Sequence, residues 1–127
     1  MPHSFEEAIE RLLQKDDTYP ADAYYFLREA LDNAALRYGK TPQNPHLSAE
    51  ELYFGFCSYA LDEYGPLAEA IMESWGVDTS EDVGQMVYNL ISIGIFGKQD
   101  SDRQSDFHGL PDVGLLLDAP YASLPTP

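Results

Sequence analysis

The sequence predicts a mainly α-helical fold: five helices, then a C-terminal β-hairpin, with a second half organised like a winged helix. Three observations carry that expectation. Apolar residues recur at three- and four-residue spacing through five separate stretches. These stretches open on capping residues or prolines, and the last four end at glycines, Gly39, Gly65, Gly76 and Gly94. After Gly94 the helical period is lost and turn residues take over.

Each element has its own justification. Ser4 and Glu7 have the spacing of a capping box, and Phe5, Ala8, Ile9, Leu12 and Leu13 then share one apolar face. Asp16, Asp17 and Thr18 break that helix. Pro20 suits the first turn of a second helix, expected over about 20–38. Its buried face is Tyr24, Leu27, Leu31, Ala34 and Tyr38, flanked by Phe26 and Ala30. "GKTPQNPH" (39–46) is a loop. Ser48 and Glu51 form a second capping box, opening a helix to Tyr64 with a stripe of Leu52, Phe56, Tyr59, Ala60 and Glu63. Pro66 restarts the chain as "PLAEAIMESW". Thr79 or Ser80 caps a fifth helix, whose face is Val83, Met86, Val87, Leu90 and Ile91.

"IFGKQ" (95–99) then reads as a short strand, "DSDRQSD" as a turn and "FHGL" as the returning strand. Four prolines from Pro111 onward surround "VGLLLDAPY", so residues 111–127 are expected as an extended tail on a 1–110 domain. Gly55 and Gly84 fall inside helices, where each costs about 1 kcal/mol relative to Ala. Close helix approach is the expected compensation.

Composition limits function. The 127 residues suffice for one domain with a real core. Twenty-two acidic residues against seven basic ones give a net charge of −15, a field that repels phosphate backbones and anionic lipids and attracts basic partners or metal cations. No apolar run reaches membrane-spanning length, and the acidic N-terminal stretch lacks a signal peptide's basic flank. The single cysteine, Cys57, excludes an internal disulfide and fits a reducing compartment, so a cytoplasmic protein is expected.

The fourth and fifth helices with the hairpin match a winged helix in order, in which the fifth would enter the major groove. Its outward face is expected to show Asp82, Gln85, Asn89 and Ser92, and Gln and Asn can read adenine. Residues 66–110, however, carry eight acidic side chains against Lys98 and Arg103, leaving few cations for phosphate contacts. Nucleic acid is therefore disfavoured. The same face, with Tyr88, Lys98 and Arg103, serves better as a protein-binding surface, one that Asp82→Lys with Gln85→Lys would weaken without disturbing the fold.

Three further features admit chemistry. His46 precedes a capped helix, with Glu50 and Glu51 nearby, and can be read as a base, a metal ligand or a loop-fixing histidine. Asp100, Asp102 and Asp106 mimic the start of a calcium loop, but Ser105 and Pro111 stand where an EF-hand needs Gly and Glu. Cys57 lies near an apolar stripe, as an inert small hydrophobe would. Among nine tyrosines, Tyr25, Tyr53 and Tyr88 fall off the stripes and are expected to be exposed, as interface tyrosines often are.

The stretches "AYYFLREAL" (23–31), "HLSAEELYFGF" (46–56), "YALDEYGPLAEAIMESWG" (59–76), "EDVGQMVYNLI" (81–91) and "DSDRQSDF" (100–107) come in a set order. Together they resemble a bacterial family of uncharacterised small proteins, the Minf type of planctomycetes and verrucomicrobia, over roughly residues 5–107. The chain departs from it at Ala49, where the family has Gly, and in the proline-rich tail. The resemblance implies a bacterial protein and brings no activity or functional residues.

The sequence thus leads to a non-catalytic acidic interaction module without a cofactor, with a basic protein partner and as a monomer or homodimer. Two alternatives stay open: a winged-helix nucleic-acid-binding regulator, and a small metal-binding or hydrolytic protein centred on His46.

Overall fold

The computed structural model describes residues 4–95 and 104–122. Helix α1 (Phe5–Lys15) begins where the Ser4 side chain accepts from the Glu7 N–H at 3.2 Å. It buries Phe5, Ala8, Ile9 and Leu12, the face that its spacing predicts. Its exit is folded by Asp16, whose carboxylate accepts from the Thr18 N–H and hydroxyl. Helix α2 (Ala21–Arg37) follows Pro20 at its N-cap and ends where Gly39 takes a positive φ of 67°. Arg28 lies 4.7 Å from the centroid of the Phe5 ring and ties α2 back to α1.

Helix α3 (Ala49–Tyr64) opens with the full Ser48–Glu51 capping box and stops at Gly65. It packs along α2, and the contact is closest at Gly55: a Cβ there would lie 2.7 Å from Ala34 Cβ. The mid-helix glycine therefore reflects close helix approach, as expected. A 3-10 turn, Gly65–Leu67, carries Pro66 and leads into the short helix α4 (Ala68–Ser74). Phe26 sits at the centre of an aromatic cluster that welds these elements, with ring centroids 5.2–5.5 Å from Tyr59, Phe56, Tyr64 and Trp75. Helix α5 (Ser80–Ser92) opens on the Thr79–Asp82 capping box and buries Val83, Met86, Val87 and Leu90.

Two expectations fail after α5. Residues 104–107, which include the start of the expected returning strand, form a 3-10 turn (Gln104–Phe107), and the described residues contain no strand beyond an isolated bridge, Thr41–Asn44. The rest of the expected hairpin, residues 96–103, lies outside the described residues. The physical reason is Phe107, which buries its ring against α5 at Gly84, where a Cβ would lie 2.8 Å from Phe107 Cγ.

Second, the tail is not extended: residues 113–122 form helix α6 (Val113–Ala122). Val113 and Leu117, one helical turn apart, are both buried, and covering them outweighs the cost of Pro120 near the helix end. The helix is anchored at its start. The Val113 N–H donates to the Asp78 carbonyl at 3.0 Å, and the Tyr53 hydroxyl donates to the Pro111 carbonyl at 2.6 Å. Tyr53 is consequently fully buried rather than exposed, and Tyr25 and Tyr88 are half-buried. No helix of the described residues is long and apolar enough to cross a membrane.

Candidate functional site

The polar face expected to point outward from α5 is mostly turned inward. Asn89 is 9% exposed; its amide donates to the Tyr24 hydroxyl at 3.0 Å and accepts from Gln85 Nε2 at 2.8 Å. Gln85 Oε1 in turn accepts from Gln104 Nε2 at 2.9 Å. These four side chains form one hydrogen-bonded line from the core under α2 to the 3-10 turn. Asp82 accepts from the Tyr19 hydroxyl at 2.6 Å and from the N–H groups of Asp78 and Thr79 at 2.9 and 3.0 Å. Burial alone would raise its pKa, but these donors and the Thr79 hydroxyl outweigh it and hold the carboxyl below its ordinary range. Asp82→Lys with Gln85→Lys would therefore attack the fold, contrary to the sequence expectation. Tyr88 is half-buried, and Lys98 and Arg103 lie outside the described residues.

The metal candidates are not brought together. His46 is half-buried in the loop before α3, and Glu50 is exposed on the first turn. Glu51 is committed to the Ser48 N–H at 3.0 Å and to Lys40 at 3.1 Å, contacts that lower its pKa. Asp106 is exposed on the 3-10 turn, and Asp100 and Asp102 are outside the described residues. Among the described residues no three His, Cys, Asp or Glu side chains are grouped as a metal site. Cys57 is buried, and desolvation pushes its thiol up to about 12, so it stays protonated and unreactive at neutral pH.

What the structure does assemble is a groove of about 510 Å³ between α4 and α6. Its floor is apolar: Met72, Val77 and Val113 are almost fully buried, and Leu115 rises at the rim 66% exposed. Around that floor stand Glu69, Glu73, Asp78, Asp112 and Asp118, and no lysine, arginine or histidine lines it. The charge of Asp118 beside it raises the pKa of Glu69, helped by the close approach of the two carboxyl groups and then by slight desolvation and Glu73. Gly114 permits the close seat of Glu69, since a Cβ there would lie 3.2 Å from Glu69 Oε1.

Folding creates this site by two steps that sequence reading missed. Val113 and Leu117 turn the tail into a helix, and Val113 then pins that helix to Asp78. One signal was present: "VGLLLD" places Val113 and Leu117 at i and i+4, a helical pair inside a proline-rich stretch. The five cations of the described residues sit elsewhere, on α1, α2 and the following loop. Arg37 is paired with Asp62 at 3.0 Å and Lys40 with Glu51. From Thr41 to the C-terminus the sequence holds fourteen acidic residues and only Lys98 and Arg103 opposite them.

No protein-family model, curated protein or solved structure matches this chain. The expected likeness to the Minf type finds no support in these comparisons.

Proposed function

We propose that the protein is a non-catalytic interaction module that takes a basic segment of a partner protein into the α4–α6 groove. The observation that carries this reading is the lining of the groove: five carboxylates stand around an apolar floor, Asp118 near enough to Glu69 to raise its pKa, with no cation among the lining residues. Two carboxylates that close repel each other when both are ionised, and one is kept protonated to a higher pH than usual. A lysine or arginine placed between them relieves that repulsion and gains charge-assisted hydrogen bonds. The apolar floor and the exposed Leu115 supply a seat for the methylene stems of such side chains and for a neighbouring apolar residue.

The volume of the groove falls within the roughly 300–1,000 Å³ typical of ligand sites, enough for a few side chains of an extended segment. Its charge disfavours nucleic acid and anionic metabolites. This reading keeps the acidic-module expectation and moves the surface from α5 to α4 and α6.

The test is calorimetric titration with a synthetic peptide of alternating arginine and leucine. Glu73→Lys with Asp118→Lys is compared with Glu10→Lys with Asp32→Lys, which changes net charge equally at exposed sites on α1 and α2. The groove pair should weaken binding at least about tenfold more than the control pair. Equal losses in both would reduce the interaction to non-specific attraction by the overall charge and remove the groove from consideration.

A further inference from the structure

The segment leading into the α6 wall of the groove is clasped to α5 through the 3-10 turn. Phe107 is the centre of the clasp. Its ring is buried directly over Gly84, so close that a Cβ on Gly84 would come within 2.8–3.0 Å of three Phe107 side-chain atoms. Its carbonyl accepts a short hydrogen bond from the hydroxyl of Ser80, which is itself fully buried. Three residues earlier, Gln104 joins the polar line through Gln85 and Asn89 to Tyr24. Ring, carbonyl and amide thus fix the 3-10 turn to a single face of α5.

Between this clasp and the groove lie only His108–Pro111. His108 and Gly109 are exposed, and Gly109 turns the chain with a φ of 77° in open space. The next fixed points are the Pro111 carbonyl on Tyr53 and the Val113 N–H on Asp78. Asp112, Val113, Gly114 and Leu115, which follow at once, line the groove. Few residues therefore separate the Phe107 seat from the wall, while no residue of the clasp touches the groove.

We propose that Gln104–Ala122 is a strap, and that seating Phe107 on Gly84 is what closes α6 over α4 and assembles the binding groove. The inference rests on the groove being the binding site, but the strap has its own observable. Seating and binding then stabilise each other: a ligand in the groove holds the clasp shut, and loosening the clasp lowers affinity by the fraction of molecules left open.

Amide hydrogen exchange on the intact chain tests this without any ligand. In Gly84→Ala the added methyl must displace Phe107 at its Cβ and Cγ, which cannot swing aside as a flexible side-chain tip could. Exchange at residues 113–118 is expected to speed up about tenfold or more, with α1, α2 and α3 unchanged. Ser80→Ala, which removes only the hydroxyl on the Phe107 carbonyl, gives the same pattern to a smaller degree and serves if Gly84→Ala does not fold. The arginine–leucine peptide, added to the unsubstituted protein, should slow exchange at Phe107 and His108, outside the groove.

Faster exchange at 104–107 with α6 unchanged would show that α6 holds itself and would overturn the strap. Faster exchange in every helix at once would overturn it too, because the clasp would then be part of the core. A chain whose α6 responds to Gly84→Ala but which ignores the peptide keeps the strap and loses the binding reading.

Discussion

At the scale of single residues, the polar side chains of α5 do structural work that their positions alone did not announce. Asp82 closes the helix cap and receives Tyr19 from 63 residues earlier in the chain. Asp82→Ala should lower unfolding free energy by about 2 kcal/mol, since it removes a cap and strands the Tyr19 hydroxyl, as a shift in urea midpoint will show. The pH dependence has a definite sign. The folded pKa of Asp82 lies below its unfolded value, so its contribution is complete above the unfolded value near 3.8 and is lost as pH falls through the folded one. Urea titrations from about pH 5 downward should therefore show a shallower loss in Asp82→Asn than in the unsubstituted protein. Gly55 is the other decisive position. Gly55→Ala gains about 1 kcal/mol of helix propensity but forces α2 and α3 apart at Ala34, at a cost of about 1–3 kcal/mol. Net destabilisation is expected, and Ala34→Gly in the same chain should give a favourable coupling in a double-mutant cycle.

At the scale of elements, all five helices were legible because each carries its own start and stop in a few adjacent residues. Ser48 with Glu51, Thr79 with Asp82, and Gly39, Gly65, Gly76 and Gly94 act locally, and the structure uses each of them. What depended on distant partners was not legible. Asn89 looked solvent-facing because its own helix turns it away from Val83 and Leu90, yet Tyr24 of α2 is waiting there. Tyr53 lay off the stripe of α3, and the segment leading into α6 came to meet it at the Pro111 carbonyl. Mid-helix Gly84 marked the side of α5 that receives Phe107, but no sequence rule said what would arrive. Helix α6 itself was hidden by its prolines, although Pro111 precedes the helix and Pro120 falls only near its end. Pro120 still leaves the Leu116 carbonyl without its helical donor. Pro120→Ala should therefore stabilise the chain, on the order of 1 kcal/mol, with slower amide exchange around residues 116–119 and a higher Tm.

At the scale of the whole molecule, the charge of −15 is unevenly distributed. The cations of the described residues belong to α1, α2 and the loop after it, whereas α4 and α6 converge with five carboxylates and no cation lining their groove. The strong acidity that the sequence displays as a bulk property becomes, once α6 has docked, a local cluster of carboxylates. Net charge was readable from composition, but its concentration required the unexpected helix. If the groove binds as proposed, the Glu69–Asp118 pair makes that binding dependent on pH. Because the folded pKa of Glu69 is raised, the unliganded fold keeps a proton there to higher pH and loses stability as pH rises through that value. An arriving cation must expel the proton, so affinity for the peptide should weaken on acidification, and Asp118→Asn should flatten that dependence.

The central claim, that the α4–α6 groove receives basic side chains, is tested most directly by mapping amide shifts in nuclear magnetic resonance spectra as the arginine–leucine peptide is added. The account predicts the largest changes at residues 69–78 and 112–119, saturating together with one affinity that falls steeply with salt. Changes centred on α5 or spread evenly over α1 and α2, with residues 112–119 unmoved, would contradict it.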